Sequence, residues 1–340
     1  MSRKNSNVNL KNGFQDYKDL SKIYLNFKKK LDLLSKKNYV VAVSGGPDSL
    51  ALVALSKAYT FSKKKTKFSY ILVNHNLRKN SNLEANQVKA LLKKKNITLQ
   101  IFQNKKKIKR NIQAEARNIR YKIISNYCKK NKIKIVLTAH NLEDQVETFF
   151  IRLSRGSGLK GLSSMKPLSK IDTRVSLYRP LLDTKKKFLK KISKNIFGKY
   201  FIDPSNKNDK YLRTKVRNLR RPLEKSGIKY DQIFKSIQNL SLSKITLEKY
   251  LDEIFRELIK KRNKEIFINL KKYEELNKVT KMALINESIK KLKNNYYDLR
   301  SIKVENLIKN ISGKDFKRAT LGGCMFFKKG ENLCLKIEKI

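Results

Sequence analysis

The sequence predicts a doubly wound α/β domain built on a parallel sheet, followed by a second, mostly helical domain. Short β-branched runs alternate with helical stretches of about 10–15 residues, the pattern of βαβ units and a parallel sheet. The first of these runs, Tyr39-Val40-Val41-Ala42-Val43, leads directly into Ser44-Gly45-Gly46, as a buried strand entering a turn does. Beyond about Pro222 the alternation stops, and the chain turns helical in pattern and lysine-rich to about Ile311.

Taken in order, residues 1–20 are polar and basic without periodicity and predict a loose arm or a helix start. Ile23, Leu25, Phe27, Leu31 and Leu34 recur at helical spacing. The strand at Tyr39 to Val43 is followed by a mostly apolar helix from Ser49 to Tyr59. Phe68 to Val73, Ile97 to Phe102 and Ile133 to Thr138 predict further strands; Leu83 to Lys94, Ile112 to Lys130 and Asn141 to Ser154 predict the helices among them. Arg155 to Leu162 carries three glycines and predicts a flexible loop, and Leu177 to Leu182 a short extended segment interrupted by Pro180. The end is hairpin-like: Ala319 to Phe327, a turn at Lys329 to Asn332, then Leu333 to Ile337. This divides the chain into an arm and helix over residues 1–35, an α/β domain over 36–220 and a Lys-rich, RNA-contacting domain over 221–340.

The 340 residues carry 81 Lys+Arg against 28 Asp+Glu, a formal charge of +53, which points to a polyanionic partner. Part of the lysine excess has a compositional explanation, because Lys, Asn and Ile are all abundant. Arg placement is therefore the better clue. A hydrophobic fraction of 40% with 16 Phe and 15 Tyr excludes the low-hydrophobicity signature of disorder. No apolar run approaches the roughly 18 residues of a membrane span, and Met1 to Gly13 lacks a signal-peptide core. A cytoplasmic location without membrane attachment is expected. Cys128, Cys324 and Cys334 form no C-x-x-C pair, so they are expected to be reduced thiols rather than a disulfide framework or zinc site.

Ser44-Gly45-Gly46-Pro47-Asp48-Ser49 lies between a predicted strand and a predicted helix. Its glycines permit positive φ, so that successive N–H groups converge on an anion, and Pro47 suits the first helical position. The loop suits phosphate, yet it lacks the Lys of a G-x-x-x-x-G-K-[ST] loop and is too short for one. Both histidines, His75 and His140, fall at predicted strand ends, where such sheets bind ligands. His140, Asp144 and Glu147 are spaced i, i+4, i+7 and lie within about 60° of one another on a helix. Carboxylates on that face, beside a phosphate loop, suit Mg²⁺. With Asn141 as N-cap, Asp144 is also placed to stabilise the helix start, a role open to it but not to Glu147, which lies too far in. Arg117 and Arg120 share a helix face, as do Arg213, Arg217 and Arg220; the second stripe is the candidate for RNA backbone binding because the guanidinium fork suits phosphate.

Ser44 to Ser49 after the first strand resembles the pyrophosphate loop of the N-type ATP pyrophosphatases, a Rossmann-like superfamily also named for its PP-loop. Within it, seven ordered segments resemble the tRNA(Ile)-lysidine synthetases: Ser44 to Ser49, Asn74 to Arg78 with Ser81 to Ala85, Asn111 to Tyr121, His140 to Thr148, Arg155 to Leu162, Arg179 to Leu181, and Asp203 to Asn206. Asn74 stands where the family has Asp, Asn76 for Gly, Glu143 for Asp and Thr214 for Asn. The resemblance implies an ATP-dependent ligase that adenylates the wobble cytidine of an isoleucine tRNA with a CAU anticodon. L-lysine then attacks to give lysidine, AMP and pyrophosphate. It also implies ATP binding by Ser44, Gly45, Gly46, Pro47, Asp48 and Ser49, with Asp48 and Asp144 on Mg²⁺. Asp144 and Glu147 would hold metal or the lysine amine, Arg117 would contact phosphate or the adenylate, and His140 would position the reacting groups. Two rivals remain: a tRNA thiolase on the same fold, which needs a cysteine pair or iron–sulfur ligands, and a non-catalytic basic RNA-binding protein. The intact loop and the His140/Asp144/Glu147 stripe speak against the second.

Overall fold

The computed structural model describes residues 18–104, 106, 108, 110–202, 211–293, 301–313 and 315–338. The Asp203 to Asn206 segment and the Tyr296-Tyr297-Asp298 aromatic pair lie outside the described residues. The chain forms two compact units, one reaching to Leu240 and one from Ser241 onward. Among the described residues no helix is long and apolar enough to cross a membrane.

In the first unit the order is α1 (Lys18–Leu34), β1 (Asn38–Val43), α2 (Pro47–Ser62), β2 (Lys67–Asn74), α3 (Ser81–Lys93), β3 (Leu99–Gln103), α4 (Ile112–Lys130) and β4 (Ile135–Leu137). Next come α5 (Leu142–Leu153), α6 (Leu159–Leu162), β5 (Leu168–Lys170), β6 (Ser176–Tyr178), α7 (Lys186–Phe197), α8 (Leu212–Asn218) and α9 (Arg220–Lys225). The segment expected to be a loop at Arg155 to Leu162 thus ends in one helical turn. The sheet order is β3-β2-β1-β4-β6-β5, all parallel except β5, which pairs antiparallel with β6.

Strand β1 shows why the sheet is covered on both faces. Tyr39, Val41 and Val43 pack with Leu50, Leu52, Val88, Leu92 and Leu189, on the side of α2, α3 and α7. Val40 packs on the other side with Ile71, Ile124, Cys128 and Val136, under α4. Side chains alternate across a strand, so an unbroken apolar run requires helices on both faces. Strand order reverses between β1 and β4, and a crevice opens beyond the carboxyl ends of strands at such a point. The loop after β1 and His140 after β4 both lie there.

The long helix α10 (Tyr230–Leu258) starts in the first unit, where Tyr230, Ile233 and Ile237 pack with Leu142 and Val146 of α5, and continues into the second. The second unit adds β7 (Lys260–Arg262), β8 (Glu265–Asn269), α11 (Leu270–Glu274), α12 (Lys278–Leu292), α13 (Ser301–Ile311), β9 (Arg318–Leu321), β10 (Cys324–Lys329) and β11 (Asn332–Ile337). Its sheet, β7-β8-β11-β10-β9, is antiparallel throughout. Ile266, Ile268, Phe326, Leu333 and Leu335 face a core shared with Leu284, Ile285 and Ile289 of α12 and Val304 and Leu307 of α13. The expected helical pattern therefore gives way at 260–269 to a hairpin: Asn263 takes a left-handed φ of 52° at the turn, and Glu265 to Asn269 alternates outward and inward as a strand does.

Candidate active site

The loop after β1 is built around one residue that only glycine fits. Gly45 has φ +80°, and a Cβ there would lie 2.5 Å from the Val88 side chain. Gly46 precedes α2 in extended conformation, and Pro47 opens the helix. Ser49 Oγ closes the turn: it donates to the Gly46 carbonyl at 3.0 Å and accepts from the Ser44 amide at 3.2 Å. From outside the loop, Ser193 of α7 donates to the Pro47 carbonyl. The first amides of α2 have no partner within the helix, so the turn presents donors to an anion.

Ser44, Gly46, Pro47, Asp48 and Ser49 line a cavity of about 930 Å³. The same cavity is lined by Asp144, Glu147, Arg213, Arg217 and Arg220. Gly45 is not among the lining residues; its carbonyl accepts from the Phe201 amide at 3.0 Å. His140 and Arg117 are outside the lining. His140 Nδ1 lies 2.9 Å from Thr138 Oγ1, and exposed Arg117 covers the Tyr121 ring at 5.0 Å. Arg120, one turn along from Arg117, does line the cavity, together with His75.

The acidic residues are held in distinct ways. Asp144 and Asn141 form a full capping box, each side chain bonded to the other's backbone amide at 3.1 Å. The capping role open to Asp144 is therefore realised, and it occupies one carboxylate oxygen. Glu147 is 3% exposed and accepts two bonds from Arg217, at 2.8 and 3.1 Å, with Arg213 Nε 3.2 Å away. Arg213 donates to Thr148 Oγ1 at 3.1 Å. Glu143 accepts from the Lys186 amide at 2.8 Å, at the start of α7, and pairs with Arg220 at 3.3 Å. The arginine stripe is thus turned into the cavity and partly neutralised there, Arg213 and Arg217 sharing one carboxylate. Its spacing was legible, but not its partners, which lie about 70 residues away in the chain.

Asp48 is the most perturbed acid of the site. Burial pushes its carboxyl up to about 6, the ammonium of Lys186 opposes this, and Asp144 and Glu143 add to it. Lys186 Nζ lies 3.4 Å from Asp48 Oδ2. Burial lowers both histidines to about 4: His75 with help from Arg120, and His140 against the pull of Asp144 but with Arg179, Arg117 and Arg213 acting in the same direction. Both imidazoles are neutral at pH 7.

Four side chains around the cavity hold buried polar atoms without a hydrogen-bond partner: Asp48 Oδ1, both ring nitrogens of His75, the Tyr230 hydroxyl, and Arg213 Nε, which faces Glu147 as an ion pair only. Buried polar atoms are normally paired, so this concentration marks where a polar ligand completes the site. Lys186 and Tyr230 gave no local signal in the sequence, since Lys186 sits in a lysine run and Tyr230 reaches the cavity only through the packing of α10 on α5. Asp48 and Asp144 fit a hard divalent cation: the unpartnered oxygen of a carboxyl raised by burial, and further by the like charge of Asp144, is relieved by one. Among the described residues no group of three or more His, Cys, Asp and Glu is placed to hold a metal alone. A cation here would complete its shell with phosphate oxygens and water.

A family described as a PP-loop domain matches residues 17–223. The chain is 33% identical over 299 residues to the tRNA(Ile)-lysidine synthase of Wolbachia pipientis wMel, covering 87% of this chain and 69% of that protein. It is 30% identical over 342 residues to the tRNA(Ile)-lysidine synthase of Wolbachia sp. subsp. Brugia malayi, covering 98% and 77%. To that of Orientia tsutsugamushi it is 38% identical over 222 residues, 64% of this chain but 49% of the relative. Among solved structures, the U34-tRNA thiolase NcsA of Methanococcus maripaludis, with its 4Fe-4S cluster, superposes with a TM-score of 0.56 at 19% identity, over 65% of this chain and 78% of that one. That likeness shows a common fold.

Proposed function

Because the chain belongs to the PP-loop family and, within it, to the tRNA(Ile)-lysidine synthases, we propose that it adenylates the wobble cytidine of a CAU-anticodon isoleucine tRNA with ATP and then joins L-lysine to it. The observation that carries this proposal is the meeting of Ser44, Gly46, Pro47, Asp48 and Ser49 with Asp144 and Glu147 around one cavity at the sheet's switch point. A glycine turn without the Walker lysine suits cleavage between the α and β phosphates.

In the first step cytosine O2 attacks the α-phosphate and pyrophosphate leaves. In the second, the ε-amine of lysine attacks C2, and AMP departs with the C2–O bond. Adenylation converts a poor leaving oxygen into a good one. The loop amides and the start of α2 hold the pyrophosphate side, where preorganised donors cost no reorganisation as charge develops. Lys186 neutralises Asp48 and supplies a second cation beside the phosphates. Mg²⁺, held by Asp48 and Asp144, would supply charge neutralisation of the phosphates. His140, neutral and oriented by Thr138, positions the reacting groups, and Arg117 approaches the adenylate from outside the cavity rim. Glu147, with both oxygens taken by Arg217, keeps the arginines fixed. Arg213, Arg217 and Arg220 bind tRNA phosphate through the N–H groups left over from their glutamate pairs, so each contributes less net charge than a free arginine.

The test is Asp48→Ala. Release of AMP from ATP in the presence of lysine and tRNA should fall by at least a hundredfold, while tRNA affinity stays within about twofold. A parallel loss of tRNA binding would make Asp48 structural and remove it from the chemistry.

A further inference from the structure

The second unit carries a surface that the cavity chemistry does not use. In an antiparallel sheet, directly opposed residues point to the same face. The register therefore aligns one row across all five strands: Arg318, Phe327, Cys334, Phe267 and Lys260. On one side of it runs the row Thr320, Met325, Lys336, Glu265 and Arg262, and on the other side Lys329 stands opposite Asn332, itself opposite Asn269. All of these are on the face opposite Ile266, Ile268, Phe326, Leu333 and Leu335, which pack against the helices. The assignment is independently supported: Lys261, which the register puts on the helix side, donates to the Lys291 carbonyl of α12 at 3.1 Å.

This outer face has an unusual chemistry for a solvated sheet. Phe267 and Phe327 are half-buried, with Cys334 fully covered between them, and Lys336 stands over the Phe327 ring at 5.2 Å. Around the two rings are Lys260, Arg262, Arg318, Lys329 and Lys336, against the single acid Glu265 among the described residues of these rows. The rings are two strands apart, about 10 Å at ordinary strand spacing. The cations are placed to follow a backbone between the two rings.

We infer that this sheet face is a platform for single-stranded RNA, stacking unpaired bases on Phe267 and Phe327 and pairing the backbone with Arg318, Lys336 and their neighbours. Aromatic rings on a sheet with cations around them suit unpaired bases, whose π faces are exposed, and not a duplex, whose bases are stacked away inside. The charge complementarity selects a polyanion, and the rings select one that can unstack. The site lies outside the catalytic cavity and holds whether or not that cavity makes lysidine.

The experiment uses the full chain and a labelled unstructured RNA of about ten nucleotides, with a blunt RNA duplex of equal length as competitor. Phe267→Leu and Phe327→Leu keep the apolar volume and remove the rings; each should weaken single-strand binding about tenfold, in line with the worth of a stacked base. Arg318→Gln with Lys336→Gln should reduce the slope of log affinity against log salt by about 1.4, the release expected from two phosphates of a single strand. Photo-crosslinking of thiouridine-containing RNA to the unaltered protein gives an answer that needs no variant: adducts should map to the β8 and β10 peptides. Equal competition by duplex, unchanged affinity of the leucine variants, or adducts confined to the first unit would each overturn the platform. None of these outcomes bears on AMP release, so failure here is distinguishable from failure of the lysidine proposal.

Discussion

Arg217→Ala tests whether the arginine stripe is structural at its root. Its partner Glu147 is 3% exposed and accepts both of its hydrogen bonds from Arg217, with Arg213 Nε 3.2 Å away as the remaining cation. Removing one partner of a buried pair costs about 3–5 kcal/mol, because the other charge stays buried. Two features reduce that here: the Arg217 side chain is 33% exposed, and Arg213 still faces the carboxylate. About 2 kcal/mol is then expected, with water reaching the vacated site. In a unit of this size each kcal/mol moves the melting midpoint by about 2–4 °C, so Arg217→Ala should melt about 4–8 °C lower by circular dichroism. In a Glu147→Gln background, where no charge is stranded, the same substitution should cost about 0.5 kcal/mol or less. Equal losses in both backgrounds would assign the energy to packing rather than pairing, and a shift below about 1 °C would show a solvated pair.

Three further outcomes are expected. Gly45→Ala must accept φ +80° and a Cβ 2.5 Å from Val88, so it should lose about 1–3 kcal/mol of stability and at least about tenfold in ATP affinity; a variant that binds ATP normally would show that the turn is not the phosphate cradle. Lys186 favours the ionised form of Asp48, whose carboxyl sits near 6, so Lys186→Met should move the acid limb of the AMP-release profile to higher pH; a shift to lower pH or none would remove Lys186 from the site. At Asp172, burial raises the carboxyl, but hydrogen bonds from Ser125, the Arg174 amide, Lys129 and the Val175 amide together hold it well below the usual range. A depressed folded value stabilises above the unfolded one, so Asp172→Asn should lower the melting midpoint at pH 7, and the gap from the unaltered protein should close as pH falls below about 4. A gap that widens in acid would reverse the assignment.

The α/β domain was legible because its signals are local. An apolar β-branched run ending in Ser-Gly-Gly fixes both a buried strand and the turn after it, and the helix expected from Ile112 to Lys130 has those bounds. The hairpin at 260–269 was hidden because its first strand is Lys260-Lys261-Arg262, with no apolar alternation to mark it, and Asn263 was the sole sign of a turn. The site divides in the same way. Ser44 to Ser49 and the Asp144/Glu147 face follow from spacing. The capping of α7 by Glu143 and the capture of Arg213 and Arg217 by Glu147 do not, because pairing between helices far apart in the chain leaves no trace in local sequence. Lys186 could not be separated from the lysines around it without knowing which of them faces Asp48.

The central claim is that this cavity couples ATP cleavage to lysine attachment on an RNA base. Its most direct measurement is incorporation of labelled L-lysine into CAU-anticodon isoleucine tRNA with ATP and Mg²⁺, followed alongside AMP and pyrophosphate. One lysine per tRNA, matched by one AMP and one pyrophosphate and absent from a tRNA whose wobble cytidine is replaced by uridine, is the predicted result. Binding of tRNA without ATP consumption, or AMP release that leaves no lysine on the RNA, would contradict it.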